Sequence, residues 1–500
     1  MKNQITLLLV TSVVILNAQN EKLSKLLPKG PHQVGFQLIE QWDHSRTYQF
    51  DSGDIPWRPM QVAVWFPAGK KENVALTYKD YIDLSSRSET LTANDSLKEQ
   101  KWKELINAGH INKELLIESF SSSLLASTET FPTSGNYPLV LYAPGSSSHW
   151  YENVLLFERL ASYGYVVMAI KSRGHKSPLM SMNWEGAESQ TRDLEFLQAL
   201  AYQYTFIDVN RIHIVGRSWG AIAAAVFSIR NQSAKSITSM DGTLSYNAML
   251  LMESSPYPGG AYLNVPILLQ VGKNRSKDAT PIDRKNYFLD VKFADAFSIE
   301  YTHLSHVAFS SYHLLYYYLC NKQLNEETKS ILLNGYVASV KHLIQFLNAQ
   351  EKGEPFQLIS NNEYVFDFQK ANSNKLPDYN DFSFALETKG WPAAKQLIHQ
   401  IEALSPDYNF GDLVSPSYLN SYAYRLHQIQ QTAQGTDVLT TATRLFPQNA
   451  NLFDSLGELH YHQGNWSKAI KNYQQSILLH PENNNAVKMI EQIDAIMKKE

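Results

Sequence analysis

The run 211–225, RIHIVGRSWGAIAAA, restricts what this 500-residue chain can fold into more than any other segment. An apolar, β-branched stretch passes without a break into Gly216-Arg217-Ser218-Trp219-Gly220 and then into a helix of small residues. This is G-x-S-x-G between a strand and a helix, the setting in which a strained turn lifts a serine Oγ clear of a sheet. The two glycines leave room where side chains would meet neighbouring backbone. Ala221, Ala223, Ala224 and Ala225 let the helix pack closely against the sheet. The helix N-terminus also favours negative charge on the serine oxygen.

The rest of the N-terminal two thirds supplies a sheet for that turn. Short apolar runs at 62–66 (VAVWF), 139–142 (LVLY), 165–170 (YVVMAI), 236–240 (SITSM), 265–271 (VPILLQV) and 297–301 (FSIEY) read as strands. Helical stretches at 154–163, 188–202 and 221–230 lie between several of them. Near-continuous apolar strands separated by helices predict a mostly parallel sheet covered on both faces. The polar, helical segment 79–130 interrupts the rhythm and reads as an insertion over the sheet. A chain of this length exceeds a single core. The expected division is a leader at 1–18, a sheet domain at 19–348, a linker at 349–375 rich in Asn, Glu, Lys and Gly, and a helical region at 376–500.

A serine hydroxyl needs a base, and the base needs an orienting acid. In a fold with this turn the chain order is serine, acid, histidine. His306, in the loop HLSHVAFSS beyond the last predicted strand, is the expected base, and His303 is its competitor. His313 and His342 sit in apolar helical runs. His303-x-x-His306 has no third ligand at a metal-binding spacing, so no metal is expected. Asp241, tightly bracketed in MDGTL, and Asp278, in the charged loop KNRSKDAT, both follow strands; Asp241 is the preferred acid. The oxyanion donors expected are the backbone N–H groups of Trp219, next to the nucleophile, and Ser146, in the loop after LVLYAPG. Lys171, Arg173, His175 and Arg217 lie near strand ends, where they either pair internally or meet an anionic substrate group.

In order, RPMQVAVWFPAG, YPLVLYAPG, FERLASYGYVVMAI, GRSWG, MDGTL and SHVAFSS resemble the platelet-activating-factor acetylhydrolase group of α/β-hydrolases, close to dienelactone-hydrolase-like esterases. The resemblance covers about residues 29–348. It implies an α/β-hydrolase fold and an acid about twenty residues after the serine, which matches Asp241. It also implies a histidine in an S-x-H-x-x-F-type loop, which Ser305 to Phe309 fits in part. Two positions depart: Pro144-Gly145 stands where the group has His-Gly, and Arg217 stands where it often has His.

The tail carries a repeat. FPQNAN at 446–451 and HPENNN at 480–485 are one period of about 34 residues apart. Phe453, Leu456, Gly457, Ala469, Tyr473, Ser476 and Pro481 have spacings that resemble the tetratricopeptide repeat. A poorer unit at about 416–449 keeps Leu419, Tyr422, Ala423 and Pro447 but has Gly435 where Ala is usual. A more degenerate one crosses 391–406, and 486–497 reads as a capping helix. The expected fold class is therefore α/β with an all-α, tetratricopeptide-like C-terminal domain.

Charge narrows the function classes. With 44 Lys+Arg against 48 Asp+Glu the net charge is −4, and nucleic-acid binding is not expected. The single cysteine, Cys320, excludes an internal disulfide and reads as a buried small hydrophobe. Lys2, an apolar run at 5–16 and Asn17-Ala18 form a secretory leader too short to span a bilayer, so a secreted or periplasmic location without a transmembrane span is expected. Together these readings predict a cofactor-independent serine hydrolase acting on a small-molecule or lipid ester, with the repeats offered to a protein partner. A peptidase or amidase on the same three residues, and an inert hydrolase-fold binding protein, are the alternatives.

Overall fold

The computed structural model describes residues 26–498, apart from 49–56, 70–73, 93, 110–113, 115, 118–119, 232, 246–262, 273–290, 292, 320–323, 372–375 and 378. The segment expected to be a leader, Asp278 and Cys320 lie outside the described residues. The chain divides into two units, Met1–Ser373 and Asn374–Glu500.

The first unit is built on a ten-stranded sheet in the order β10-β9-β8-β7-β6-β4-β5-β2-β1-β3. The strands are β1 (Gln33–Thr47), β2 (Trp57–Ala68), β3 (Ala126–Ser127), β4 (Tyr137–Ala143), β5 (Val166–Ile170), β6 (Ile207–Arg217), β7 (Ala234–Met240), β8 (Ile267–Gly272), β9 (Ala296–Tyr301) and β10 (Tyr364–Gln369). From β5 through β9 every neighbouring pair is parallel. The flanks turn antiparallel, β2 on β5, β1 on β2 and β10 on β9.

Alternation along each strand assigns its side chains to two cores. Val62, Val64, Leu139, Leu141, Val166, Met168, Ile212, Ile214, Ile267 and Leu269 join the core beneath the helices α4 (Trp184–Ala201) and α5 (Gly220–Asn231). Ala63, Trp65, Val140, Tyr142, Val167, Ala169, Val215, Leu268 and Ile299 join the opposite core, with α3 (Val154–Ser162) and α6 (Glu326–Lys352). A slip of one residue would exchange the two sets, so the apolar pattern fixes the register. It also fixes which strand ends meet at the C-terminal edge.

The polar segment after β2 supplies two helices, α1 (Tyr78–Ser85) and α2 (Asp95–Gly109), before β3 joins the far edge beside β1. The tract expected to be a linker is a correction. Helix α6 runs on to Lys352, and Tyr364–Gln369 pairs with all of β9 as an edge strand. Its aromatic residues Phe366 and Phe368 stack on Phe297, which is what holds this polar stretch to the sheet. The first strand, β1, is a further element hidden by its charged and polar residues.

The second unit is all helical among the described residues: α7 (Tyr379–Lys389), α8 (Trp391–Leu404), α9 (Pro416–Gln428), α10 (Thr432–Leu445), α11 (Ala450–His462), α12 (Trp466–Leu479) and α13 (Asn484–Met497). Leu419, Ala423, Leu456, Ala469 and Tyr473 are buried in its seams, as are Ala486 and Ile493 of the last helix. Tyr424 and Glu458 hydrogen-bond across the boundary between the two repeat-like hairpins. No described helix is long and apolar enough to cross a membrane.

Candidate active site

Ser218 stands between β6 and α5 with φ +51°, a left-handed conformation that costs a non-glycine residue about 1–2 kcal/mol. The strain is held from both sides. Its N–H donates to Met240 O at 3.1 Å, and its carbonyl accepts from Thr243 N at 3.1 Å. The flanking glycines are required by close approach: a Cβ on Gly216 would lie 2.5 Å from Gly220 O, and one on Gly220 would lie 2.1 Å from Ala143 O. In the stretch from Ile212 to Gly220, Ser218 is the one residue that is not buried. Gly220→Ala is expected to destabilise the fold by about 3 kcal/mol, because rigid backbone cannot yield to the added carbon; urea denaturation measures it.

His306 opens a short 3₁₀ turn, His306–Phe309, after β9. Its Nε2 is 2.9 Å from Ser218 Oγ, and its Nδ1 is 2.6 Å from Asp241 Oδ2. Asp241 is fully buried directly after β7, with φ +43°. Its other oxygen, Oδ1, accepts from Gly272 N at 2.9 Å at the end of β8. Both carboxylate oxygens are therefore fixed. A carboxylate beside Nδ1 makes Nδ1 the protonated nitrogen, which turns the Nε2 lone pair toward the serine. His303 is exposed and lies outside the hydrogen bonds that join Ser218, His306 and Asp241.

The loop after β4 closes the other side of the serine. A Cβ on Gly145 would fall 3.3 Å from Ser218 Cβ. Among the described residues, the backbone N–H groups of Trp219 and Ser146 donate to no protein acceptor. The arrangement can deprotonate a serine, hold the resulting imidazolium against a carboxylate, and offer N–H groups beside the attacked carbonyl.

One residue that holds the site together had no signal in the sequence. Glu152 is buried, and its carboxylate accepts from Gly145 N at 3.0 Å and from the Tyr142 hydroxyl at 2.8 Å. It also pairs with Arg217 Nη1 at 3.1 Å, while Arg217 Nη2 donates to His306 O at 3.2 Å. Arg217 is thus spent on linking the β4 loop to the histidine turn. Its partners are distant in sequence, so no local spacing reveals the role. Lys171 and Arg173 both pair with Glu89, from the segment after α1. His342 bonds the Tyr301 hydroxyl at 2.9 Å, and burial pushes it down to about 4.

A second serine–histidine–acid constellation lies in the same sheet. His213 Nδ1 is 2.8 Å from Ser236 Oγ, and His213 Nε2 is 2.9 Å from Glu351 Oε1. Ser236 and His213 are fully buried, and Ser236 lies within β7 rather than on a turn. Burial holds His213 below the ordinary imidazole range. This group pins the end of α6 to β6 and β7.

No family model and no curated protein matches the chain. Among solved structures it is similar to a ferulic acid esterase from Streptomyces cinnamoneus, with a TM-score of 0.50 and 17% identity, over 69% of this chain and 98% of that one. The first unit has the α/β-hydrolase fold. Within it, the serine turn, the aspartate after β7 and the histidine turn after β9 all stand at the carboxyl edge of the hydrolase sheet, where open parallel sheets bind ligands.

Proposed function

We propose that the protein is a serine hydrolase that cleaves carboxylic esters through an acyl-enzyme on Ser218. The observation that carries this reading is the unbroken line from Ser218 Oγ through His306 to buried Asp241, on a serine held in a left-handed turn. In the first step Ser218 Oγ attacks the ester carbonyl as His306 Nε2 takes its proton. The tetrahedral oxyanion rests on the N–H groups of Trp219 and Ser146. His306 then protonates the departing alkoxide, and the acyl group stays on Ser218. Water, deprotonated by the same imidazole, attacks the acyl-enzyme and releases the acid. No cofactor enters these steps.

The test is labelling followed by turnover. A fluorophosphonate probe is expected to label the wild-type chain at Ser218 and to leave Ser218→Ala unlabelled, with Ser236 unmodified. A panel of nitrophenyl esters, a ferulate ester and aminoacyl amides then separates esterase from peptidase. The expected ester preference is about a hundredfold or more in kcat/KM, because an alkoxide leaves without the full protonation that an amine requires. Absence of labelling would make the hydrolase fold an inert scaffold.

Two finer readings belong to the same proposal. Residues 1–18 form a secretory leader, on the strength of the charged, apolar and small-residue order of that segment. The helical unit is tetratricopeptide-like and receives a protein partner, on the strength of its period and its paired helices.

A further inference from the structure

The β5 side of the candidate active site holds more positive charge than its own acids neutralise. Lys171 and Arg173 follow β5 and share one carboxylate, Glu89, with Arg173 Nη2 at 3.3 Å. Lys101 approaches from α2: its Nζ lies 2.7 Å from His149 Nε2 and 5.9 Å from the centroid of the Tyr151 ring. Glu104, exposed on α2, is the other acid facing these cations. The nearby Arg46 and Arg58 are matched by Asp43 and Asp193 and lend no spare carboxylate. Three cations therefore face two acids.

Two buried donors in this cluster also lack an acceptor. An ammonium donating to Nε2 of His149 places the ring proton on Nδ1, and that buried Nδ1 has no partner. Arg173 is wholly buried, yet its Nη1 has none either. The surplus of charge shows in the titration of the group. Burial, with Lys101, Lys171 and Arg173, holds His149 far below the ordinary imidazole range. Burial and the charge of Lys171 bring Lys101 down to about 8. Uncompensated buried donors and cations are costly, and an anion among them removes that cost. The cluster is not sealed, since Glu89, Lys101 and His149 keep partial exposure. It also adjoins the serine's surroundings. His149 is on the same loop as Ser146, and Ser172 N donates to Ser148 O at 2.9 Å, tying that loop to the end of β5.

We propose that Lys101, His149, Lys171 and Arg173 form a substrate subsite for an anionic oxygen group. Resting on the ester-hydrolase reading, this makes the substrate an ester that also carries a carboxylate or phosphate. The anion enters from the side where Lys101 and His149 keep partial exposure and lies against the Lys101 and Lys171 ammonium groups, with the buried Arg173 charge behind them. Charge-assisted hydrogen bonds of this kind are about twice as strong as neutral ones.

The test reads binding without turnover. Ser218→Ala protein is titrated by NMR with monomethyl glutarate and, separately, with dimethyl glutarate, which differ in one negative charge. The anion is expected to bind about tenfold or more tightly than the neutral diester. Lys101→Met in the same background is expected to bring that ratio to about threefold or less, and Lys101→Arg to preserve it. Methyl phosphate, titrated in parallel, separates the two anion chemistries, and tight binding of either supports the subsite. No saturable shift with either anion, equal affinity for charged and neutral esters, or a ratio untouched by Lys101→Met overturns it. Failure of the wild-type chain to hydrolyse any ester would instead overturn the hydrolase reading, while this binding difference stands or falls by itself.

Discussion

Ser218→Ala is expected to lower kcat for a nitrophenyl ester by about a millionfold, the loss typical of removing a serine nucleophile outright. Far-UV circular dichroism and the urea midpoint should stay close to wild type, because the substitution keeps a Cβ in the same strained turn. The companion substitution Ser218→Gly sharpens the test. It is equally inactive on the proposed mechanism, yet it relieves the φ of +51°, and it should gain about 1 kcal/mol in stability. An inactive but stabilised glycine variant would show that the fold tolerates strain here for the sake of the exposed hydroxyl. A glycine variant no more stable than wild type would mean that the turn is not strained, and substantial activity in either variant would remove Ser218 from the mechanism.

Asp241→Asn carries the second large effect, and the geometry dictates how it arises. Gly272 N–H already donates to Oδ1, so the asparagine must present its carbonyl oxygen there. Its NH₂ then faces His306 Nδ1, which is forced to accept. The ring proton moves to Nε2 and points at Ser218, leaving no lone pair to receive the serine proton. The expected loss is about 10⁴-fold in kcat, with the fold retained, since asparagine is among the residues that best tolerate φ +43°. Nitrogen-15 NMR of the imidazole should report the exchanged tautomer, and the ester assay the loss. A variant that keeps the wild-type tautomer and rate would detach Asp241 from the relay.

Much of this site could be read from the chain because its parts lie at strand ends. The apolar runs of β2 and β4 to β9 stand out from the polar segments between them; Ser218 and Asp241 follow β6 and β7 directly, and His306 comes in the short loop after β9. The elements that escaped are those where polarity masks a strand. Strand β1 alternates poorly through QLIEQWDHSRT, and β10 hides its period of two within a tract of Asn, Glu and Lys. Glu152 escaped for another reason. Its value comes from Gly145, Tyr142 and Arg217 converging on one carboxylate, and convergence from distant segments leaves no spacing to detect. The same holds for Lys101 and Glu89, which reach the β5 side from a segment whose composition predicts only surface helix.

The Ser236–His213–Glu351 cluster joins the same three kinds of group as Ser218, His306 and Asp241, a hydroxyl, an imidazole and a carboxylate. Its hydroxyl rides on an extended strand and is sealed from solvent. Connectivity of polar groups therefore does not tell Ser236 and Ser218 apart. The difference is a bend of the main chain at Ser218, which trades conformational ease for reach.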